Sequence, residues 1–287
     1  MSVGQGEKVK VSVIIPFYYG NKYMEKLATM LALNEEGLNE EDSLEIVIVN
    51  DSPTENVDLS AWQMEGIKPV VVRNSKNLGI HRSRVQGLKY TSGDLIFFLD
   101  QDDEISAECL RTNVHFLGDN DFCVSNGYIE DSNGEKRKIF KSEKHQKCCL
   151  DLNFHYCYTN PIISPGQVLI RKDAIPRQWT EHFFEHNGAD DHYLWLLLLE
   201  NGKSGSLNPH CVYTHISTGE NTSLNLEAMM NSNLELVEAL KDIAPRKYLR
   251  RLLRRSMYYA SNPEKVIIKI RFFDVGIQRM IYSRRIE

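Results

Sequence analysis

The chain has 287 residues, enough for one or two domains with a sizeable core, and carries a formal charge of −5 with 42% hydrophobic and 25% charged residues. No 18 apolar residues follow one another, and no basic start leads into an apolar run. The sequence therefore predicts neither a membrane-spanning helix nor a secretory signal, and a cytoplasmic setting is expected. The charge is unevenly placed: residues 245–287 hold twelve Lys or Arg against three acidic residues, and the rest of the chain carries −14. A basic tail on an acidic body suggests an anionic surface as partner.

Six cysteines, Cys109, Cys123, Cys148, Cys149, Cys157 and Cys211, form no CxxC pair and are expected as reduced thiols. His145, Cys148, Cys149, His155 and Cys157 lie close in sequence. Their spacing matches no usual structural zinc pattern, so buried thiols are the better reading.

In chain order, Val11 to Ile15 is a β-rich run ended by Pro16, followed by Met24, Leu27, Ala28, Leu31 and Ala32 at helical spacing. Leu44 to Val49 is a second strand ending in Asn50-Asp51-Ser52-Pro53, and Val70 to Val72 a third ending in Arg73-Asn74. A helix after Gly79 aligns Ile80, Arg84 and Leu88, and Leu95 to Leu99 is a fourth strand. Strands alternating with helices imply right-handed crossovers and a parallel sheet. The loops after the strands then gather on one edge, where open α/β sheets bind ligands. There is neither a GxGxxG fingerprint nor a P-loop, which argues against the dinucleotide and ATP enzymes that use them.

At the end of the fourth strand stand Asp100, Gln101, Asp102 and Asp103. Carboxylates gathered there can hold Mg2+ or Mn2+, ions suited to neutralising a phosphate leaving group. Taken alone, the four residues equally suit an acidic turn capping a helix near Ile105.

The run VSVIIPFYYG, then EIVIVNDSPTEN, then RNSKNLGIHRSRVQGLKYTSGDLIFFLDQDD, covering residues 11–103, resembles the nucleotide-sugar half of glycosyltransferase family 2, inverting enzymes with a GT-A fold. GADDHYLWLLLLENG, residues 188–202, resembles that family's acidic pair at the start of an apolar helix. The resemblance implies an α/β GT-A fold with a mostly parallel central sheet. Its catalytic domain would span residues 1 to about 220, with a nucleotide-sugar half over 9–103, an acceptor half over 104–220, and a helical, basic extension over 221–287. It places Pro16 and Tyr18 beside the nucleobase, Asp51 at a polar edge of that base, and Arg84 near the pyrophosphate. Asp100 and Asp102 match the ends of the metal-binding DXD motif, and Asp191 matches the general base. His215, in VYTHISTGENTS, resembles a histidine that closes over the pyrophosphate or completes the metal shell.

The chain departs from the family pattern at Tyr19, where Asn is usual, at Asn50 in place of Asp, at Val85 in place of Asn, and at Asp190 in place of Glu. None of these touches Asp191.

Towards the C-terminus, Leu226, Met229, Met230, Leu234, Val237 and Leu240 recur at helical spacing. Arg250, Arg251, Arg254 and Arg255 follow beside leucines, and then comes an apolar stripe of Val266, Ile270, Phe273 and Ile277 with basic neighbours. Such helices either lie on anionic membranes or pack on their own domain with their charges in water. The expectation is transfer of a hexosyl or N-acetylhexosaminyl group from a nucleotide-sugar donor, with UDP the leading candidate, to a glycan or lipid-linked acceptor in cell-surface polysaccharide biosynthesis. Mn2+ or Mg2+ would be the cofactor, the inner face of the cytoplasmic membrane a peripheral docking place, and nucleic acid no partner. The alternatives are a nucleotide-sugar-binding relative without catalysis and a metal-dependent nucleotidyltransferase.

Overall fold

The computed structural model describes residues 8–66, 68–217, 226–261 and 265–286. The boundary near residue 220 and the second half of the His215 loop lie outside the described residues.

The chain divides into two compact units, the first made of Met1–Ile139, Ser164–Ile175 and Ser204–Thr218. It opens with β1 (Lys10–Phe17), α1 (Met24–Gly37), β2 (Ser43–Asn50), α2 (Ser60–Met64), β3 (Val70–Arg73), α3 (Ile80–Leu88) and β4 (Leu95–Phe98). β1 pairs in parallel with β2 on one side and β4 on the other, and β2 pairs in parallel with β3. Val11, Val13, Ile14, Ile15 and Phe17 of β1 have no exposed surface, the state of a central strand buried on both faces. α1 buries Met24, Leu27, Ala28 and Leu31, the spacing that marks it as a helix in the sequence. Fully burying a large apolar side chain of this kind contributes about 1.5–3 kcal/mol.

After β5 (Glu104–Ile105) and α4 (Cys109–Leu117), the sheet continues with β6 (Phe122–Glu130), β7 (Lys136–Lys138), β8 (Val168–Arg171) and β9 (Gly205–Ile216). The order is β3-β2-β1-β4-β8-β6-β9-β5, with β7 on the side of β6. The parallel part anticipated from the sequence is β1 to β4. Beyond it β8 runs antiparallel to both β4 and β6, and β6 is parallel to β9, so the whole sheet is mixed.

The chain progresses outward from β1 through β2 and β3 and then returns to the opposite side of β1 as β4. That reversal is a topological switch point, the place where open α/β sheets accept ligands beyond the strand ends. Pairing of β1 with β4 ends at Ile14 opposite Phe98, whereas pairing with β2 runs on to Phe17. Pro16, which has no N–H to give, therefore sits where the β4 side has already finished.

The second unit comprises Phe140–Ile163, Pro176–Lys203 and Gly219–Glu287. It contains α5 (Glu143–Gln146), α6 (Leu152–Cys157), α7 (Arg177–Glu181), α8 (Asp190–Glu200), α9 (Leu226–Ala239), α10 (Arg246–Ala260), α11 (Val266–Arg271) and α12 (Phe273–Ser283). Much of the basic sequence in α10 is spent inside this unit. Arg255 is buried and donates to the His155 carbonyl at 2.6 Å, and burial pushes its pKa down to about 10. Arg254 makes a two-pronged pair with Asp274, both contacts at 2.6 Å, and Arg251 points at the Cys157 sulfur. No described helix is long and apolar enough to cross a membrane.

Candidate functional site

At the carboxyl edge of the first unit, the loop after β1 carries Tyr18 exposed and Gly20 buried. The carboxamide of Gln101 brackets this loop: Tyr18 N donates to Gln101 Oε1, and Gln101 Nε2 donates to the Tyr18 carbonyl, each at 3.0 Å. Gly20 makes the approach possible, because a Cβ there would come within 2.1 Å of Gln101 Oε1. Between them Tyr19 has φ 46°, the left-handed region that Asn tolerates far better than Tyr. Tyr19 is held there by its N–H to Ser52 Oγ at 2.8 Å, by its hydroxyl beside Thr54 Oγ1, and by an edge-on contact with the Tyr18 ring.

Asp51 is buried and turned onto the backbone ahead of α3. Its Oδ1 accepts from Leu78 N and from Asn74 Nδ2, both at 2.8 Å, and its Oδ2 accepts from Gly79 N at 2.9 Å. Gly79 has φ 86°, so glycine is the residue suited to start α3 in this way. Most of the accepting capacity of Asp51 is therefore used in shaping the loop that launches α3. Asn50 builds a neighbouring turn, taking Ser52 N on its Oδ1 and giving its Nδ2 to the Glu55 carbonyl.

Arg84, on α3, is buried and pairs with Asp100 Oδ1 at 2.6 Å. The structure thus brings together the arginine and the first DXD aspartate that the sequence places 16 residues apart. Asp102 lies beside them with its pKa pushed up to about 6, by burial first and then by the charges of Asp103 and Asp100. That is the behaviour of a carboxylate short of positive charge.

Asp103, singled out in the sequence only as a third carboxylate, is the most enclosed of the group at 2% exposure. Its Oδ2 accepts from the Tyr213 hydroxyl and from Ser164 Oγ, and its Oδ1 contacts His215 Nδ1 at 3.0 Å and accepts from Ile216 N at 3.1 Å. Burial works against a charge on His215, but the hydrogen bond and charge of Asp103, with the charges of Asp100 and Asp102, raise its pKa above the ordinary value. With Nδ1 turned to Asp103, Nε2 is the nitrogen left to face a ligand.

A divalent cation fits the chemistry of this donor set. Oxygen ligands predominate, and the charged form of Asp102 is disfavoured by burial and by the neighbouring Asp103 and Asp100, which a cation would relieve. Among the described residues no three His, Cys, Asp or Glu side chains are placed to enclose a metal by themselves. Mg2+ is commonly held by one or two carboxylates, with substrate phosphates and water supplying the rest. Asp100 and Asp102, with His215 beside them, would be the residues to hold one.

In the second unit, Asp190 and Asp191 open α8, where free backbone N–H groups favour negative charge. The two differ in environment. Asp190 is buried, and its carbonyl accepts Trp179 Nε1 at 2.8 Å. Asp191 is half-buried, its Oδ1 accepting from His192 N at 2.6 Å and its Oδ2 lying 3.4 Å from Asn160 Nδ2. Asp191 is the more accessible carboxylate of the pair.

α9 fixes the approach to these residues. Ser232 Oγ accepts from Ala189 N at 2.9 Å and donates to the His186 carbonyl at 3.0 Å, while Glu235 takes Glu185 N and His186 Nδ1. The cysteine-rich stretch in this unit is packed rather than displayed: Cys148, Cys149 and Cys157 are buried free thiols, and His155 Nε2 faces the Cys149 carbonyl at 2.9 Å.

Ser164, Tyr213, Gln101 and Asn160 were not anticipated from the sequence. The adjacency of three carboxylates was the only signal that could have drawn attention to Asp103.

The chain is similar to several known proteins. The curated dolichol-phosphate mannosyltransferase of Pyrococcus furiosus is 24% identical over 171 residues, 59% of this chain and 42% of that protein. The amylovoran biosynthesis glycosyltransferase AmsB of Erwinia amylovora is 26% identical over 194 residues, 63% of this chain and 62% of that protein. The chain thus spans less than two thirds of the length of these curated relatives. Among solved structures, residues 1–349 of Staphylococcus aureus TarS in complex with UDP-GlcNAc superpose with a TM-score of 0.63 at 19% identity, covering 97% of this chain and 82% of that one. This likeness establishes a shared fold. The sequence profile of glycosyl transferase family 2 matches residues 12–179, more than half the chain, and the protein belongs to that family.

Proposed function

We propose that the protein is an inverting glycosyltransferase that moves a sugar from a UDP-sugar to a hydroxyl of a glycan or lipid-linked acceptor in cell-surface polysaccharide biosynthesis. The observation that carries this reading is the arrangement at the switch point. Arg84 and Asp100 are paired there, Asp102 is held charge-starved beside them, and the Tyr18 loop is bracketed to the same DXD turn. UDP is favoured because the similar TarS structure holds UDP-GlcNAc. A lipid-linked or polysaccharide acceptor is favoured by the names of the dolichol-phosphate and amylovoran relatives.

In this reading the donor half is residues 9–103, and Pro16 and Tyr18 present an apolar and aromatic surface to the base. Asp51 sets the loop that begins α3, and Arg84 and Asp100 together fix the polar wall that faces the diphosphate. A bound Mn2+ or Mg2+ supplies charge neutralisation for the leaving diphosphate. Asp191 takes the proton of the acceptor hydroxyl as its oxygen bonds to C1 and the C1–O bond to the diphosphate breaks. A single displacement of this kind inverts the anomeric centre. The basic C-terminal helices fit an acceptor presented at an anionic membrane surface.

The test is a thermal-shift screen of UDP-, GDP- and dTDP-sugars with Mn2+, since a ligand that binds only the folded state raises apparent stability. Stabilisation by a UDP-sugar, followed by its turnover with a lipid-diphosphate glycan, supports the reading. No stabilisation by any nucleotide sugar overturns it.

A further inference from the structure

α12 is apolar on two faces, and folding of the chain uses only one of them. Val275 points inward at 1% exposure, after Phe272 at 2%. Phe273, Ile277, Met280 and Ile281 follow the i, i+4, i+7, i+8 spacing of a single helix face, yet they are 64%, 46%, 56% and 54% exposed. On α11, Val266 and Ile270 are 71% and 68% exposed. Large apolar side chains scattered singly on a surface need no explanation, but a run of them along two consecutive helices does.

The charges around this strip are of one sign. Between residues 265 and 286 the chain has Lys265, Lys269, Arg271, Arg279, Arg284 and Arg285 and one acidic residue, Asp274, which is already paired with Arg254. Lys265, Lys269, Arg271 and Arg284 are exposed. Of the α10 arginines, Arg255 is turned inward to the His155 carbonyl and Arg254 is spent on Asp274 and the Arg271 carbonyl, while Arg285 is paired with Asp151.

We propose that the α11–α12 face is a membrane-docking surface, its apolar residues entering the headgroup boundary of an anionic bilayer and its flanking Lys and Arg side chains reaching the lipid phosphates. This names the partner surface and the residues for the membrane-presented acceptor proposed above, and rests on that reading. The form is that of an interfacial helix: an apolar side buried shallowly, basic side chains at its margins, and too little length to span. Exposed apolar area alone would suit a second copy of the chain equally well. The one-signed charge at the margins decides against that partner, because two such faces apposed would bring like charges together, whereas an anionic leaflet complements them.

The test uses the full chain and vesicles of phosphatidylcholine alone or mixed with phosphatidylglycerol, in a co-sedimentation assay. The triple variant Ile270→Gln, Phe273→Gln, Ile277→Gln changes only outward-facing side chains, so its melting temperature should match the parent's. We expect the parent to sediment with the anionic vesicles, and the triple variant to bind at least about tenfold more weakly. Lys269→Glu with Arg271→Glu should also weaken binding, and salt should weaken what remains. Parent protein that ignores anionic vesicles overturns the proposal, as does a triple variant that binds them as well as the parent. So does a parent that elutes as a dimer which the triple variant converts to monomer, because a second copy then covers the face. Stabilisation by a UDP-sugar, measured on the same samples, separates this failure from failure of the glycosyltransferase reading.

Discussion

Gln101 pairs with the backbone of Tyr18 in both directions, its carboxamide occupying the place that a neighbouring strand would take. The middle residue of the DXD turn thereby fixes the loop proposed to face the nucleobase. Replacing Gln101 with Ala removes both hydrogen bonds. The partners are solvent-exposed backbone groups, so the cost in folding stability should be about 1 kcal/mol or less. The loop must then be ordered when donor binds, and affinity for a UDP-sugar with Mn2+ should fall by about tenfold. Calorimetric titration measures this, and equal affinities in parent and variant would show that the bracket serves the fold alone.

The carboxylate cluster makes a prediction about metal. Without a cation, Asp100, Asp102 and Asp103 would repel a diphosphate; the pKa of Asp102 is already pushed up to about 6, by burial first and then by the charges of Asp103 and Asp100. Chelation by EDTA should therefore weaken nucleotide-sugar binding strongly. Asp102→Ala should do the same, and added Mn2+ should not restore that variant. Donor affinity unchanged by both treatments would remove the metal from the proposal.

The first half of the fold was legible because β1, β2 and β4 are short apolar runs whose period and length leave little choice, and α1 and α3 follow them at helical spacing. The mixed half was not. β6 reads FCVSNGYIE, with Ser125, Asn126 and Gly127 in mid-strand and register shifts against β9 at those residues, while β9 contains Pro209. Neither carries a period that marks it as a strand. At the site, Asp100 and Asp102 were visible from their place after an apolar run, and Arg84 from a motif. Apart from His215, the partners of Asp103 were not: Ser164, Tyr213 and Ile216 lie 61 to 113 residues away and meet it only through the fold. Asn160, beside Asp191, is likewise a contact between residues 31 apart.

Asp191→Asn keeps the shape of the side chain and removes its affinity for a proton. The variant should bind donor as the parent does and lose turnover by about a hundredfold or more, the usual contribution of a general base. The split between preserved binding and lost turnover is the informative measurement, because a misfolded site would lose both. Near-normal turnover would move the role to another group. Asp190 is the nearest carboxylate, although its burial makes it the poorer candidate.

Acid sensitivity should come from the histidines behind Asp191. His155 is fully buried, stacked on His192 with ring centroids 5.4 Å apart, and Arg255 donates to its carbonyl. Burial lowers its pKa to about 4; the contact with the Cys149 carbonyl acts the other way, and the charge of Arg255 adds to the lowering. His192 is held well below its ordinary value, by burial first and then by His155 and Arg255. In the unfolded chain both rings take up protons as the pH falls through about 6.5, whereas the folded protein resists. Stability is therefore fully present above that pH and is lost as the pH falls towards 4, by about 3 kcal/mol for His155 alone. His155→Gln retains an N–H donor for the Cys149 carbonyl but cannot titrate, so its melting temperature should decline less steeply with acid than the parent's. Parallel declines in the two proteins would place the acid sensitivity in another group, with His192 the first to examine. Glu45 acts in a lower window: burial raises its pKa, but hydrogen bonds from Ser12, Lys10 and Ser92 prevail and hold it down to about 2, so its contribution is present above about 4.5 and is lost as the pH falls from there towards 2.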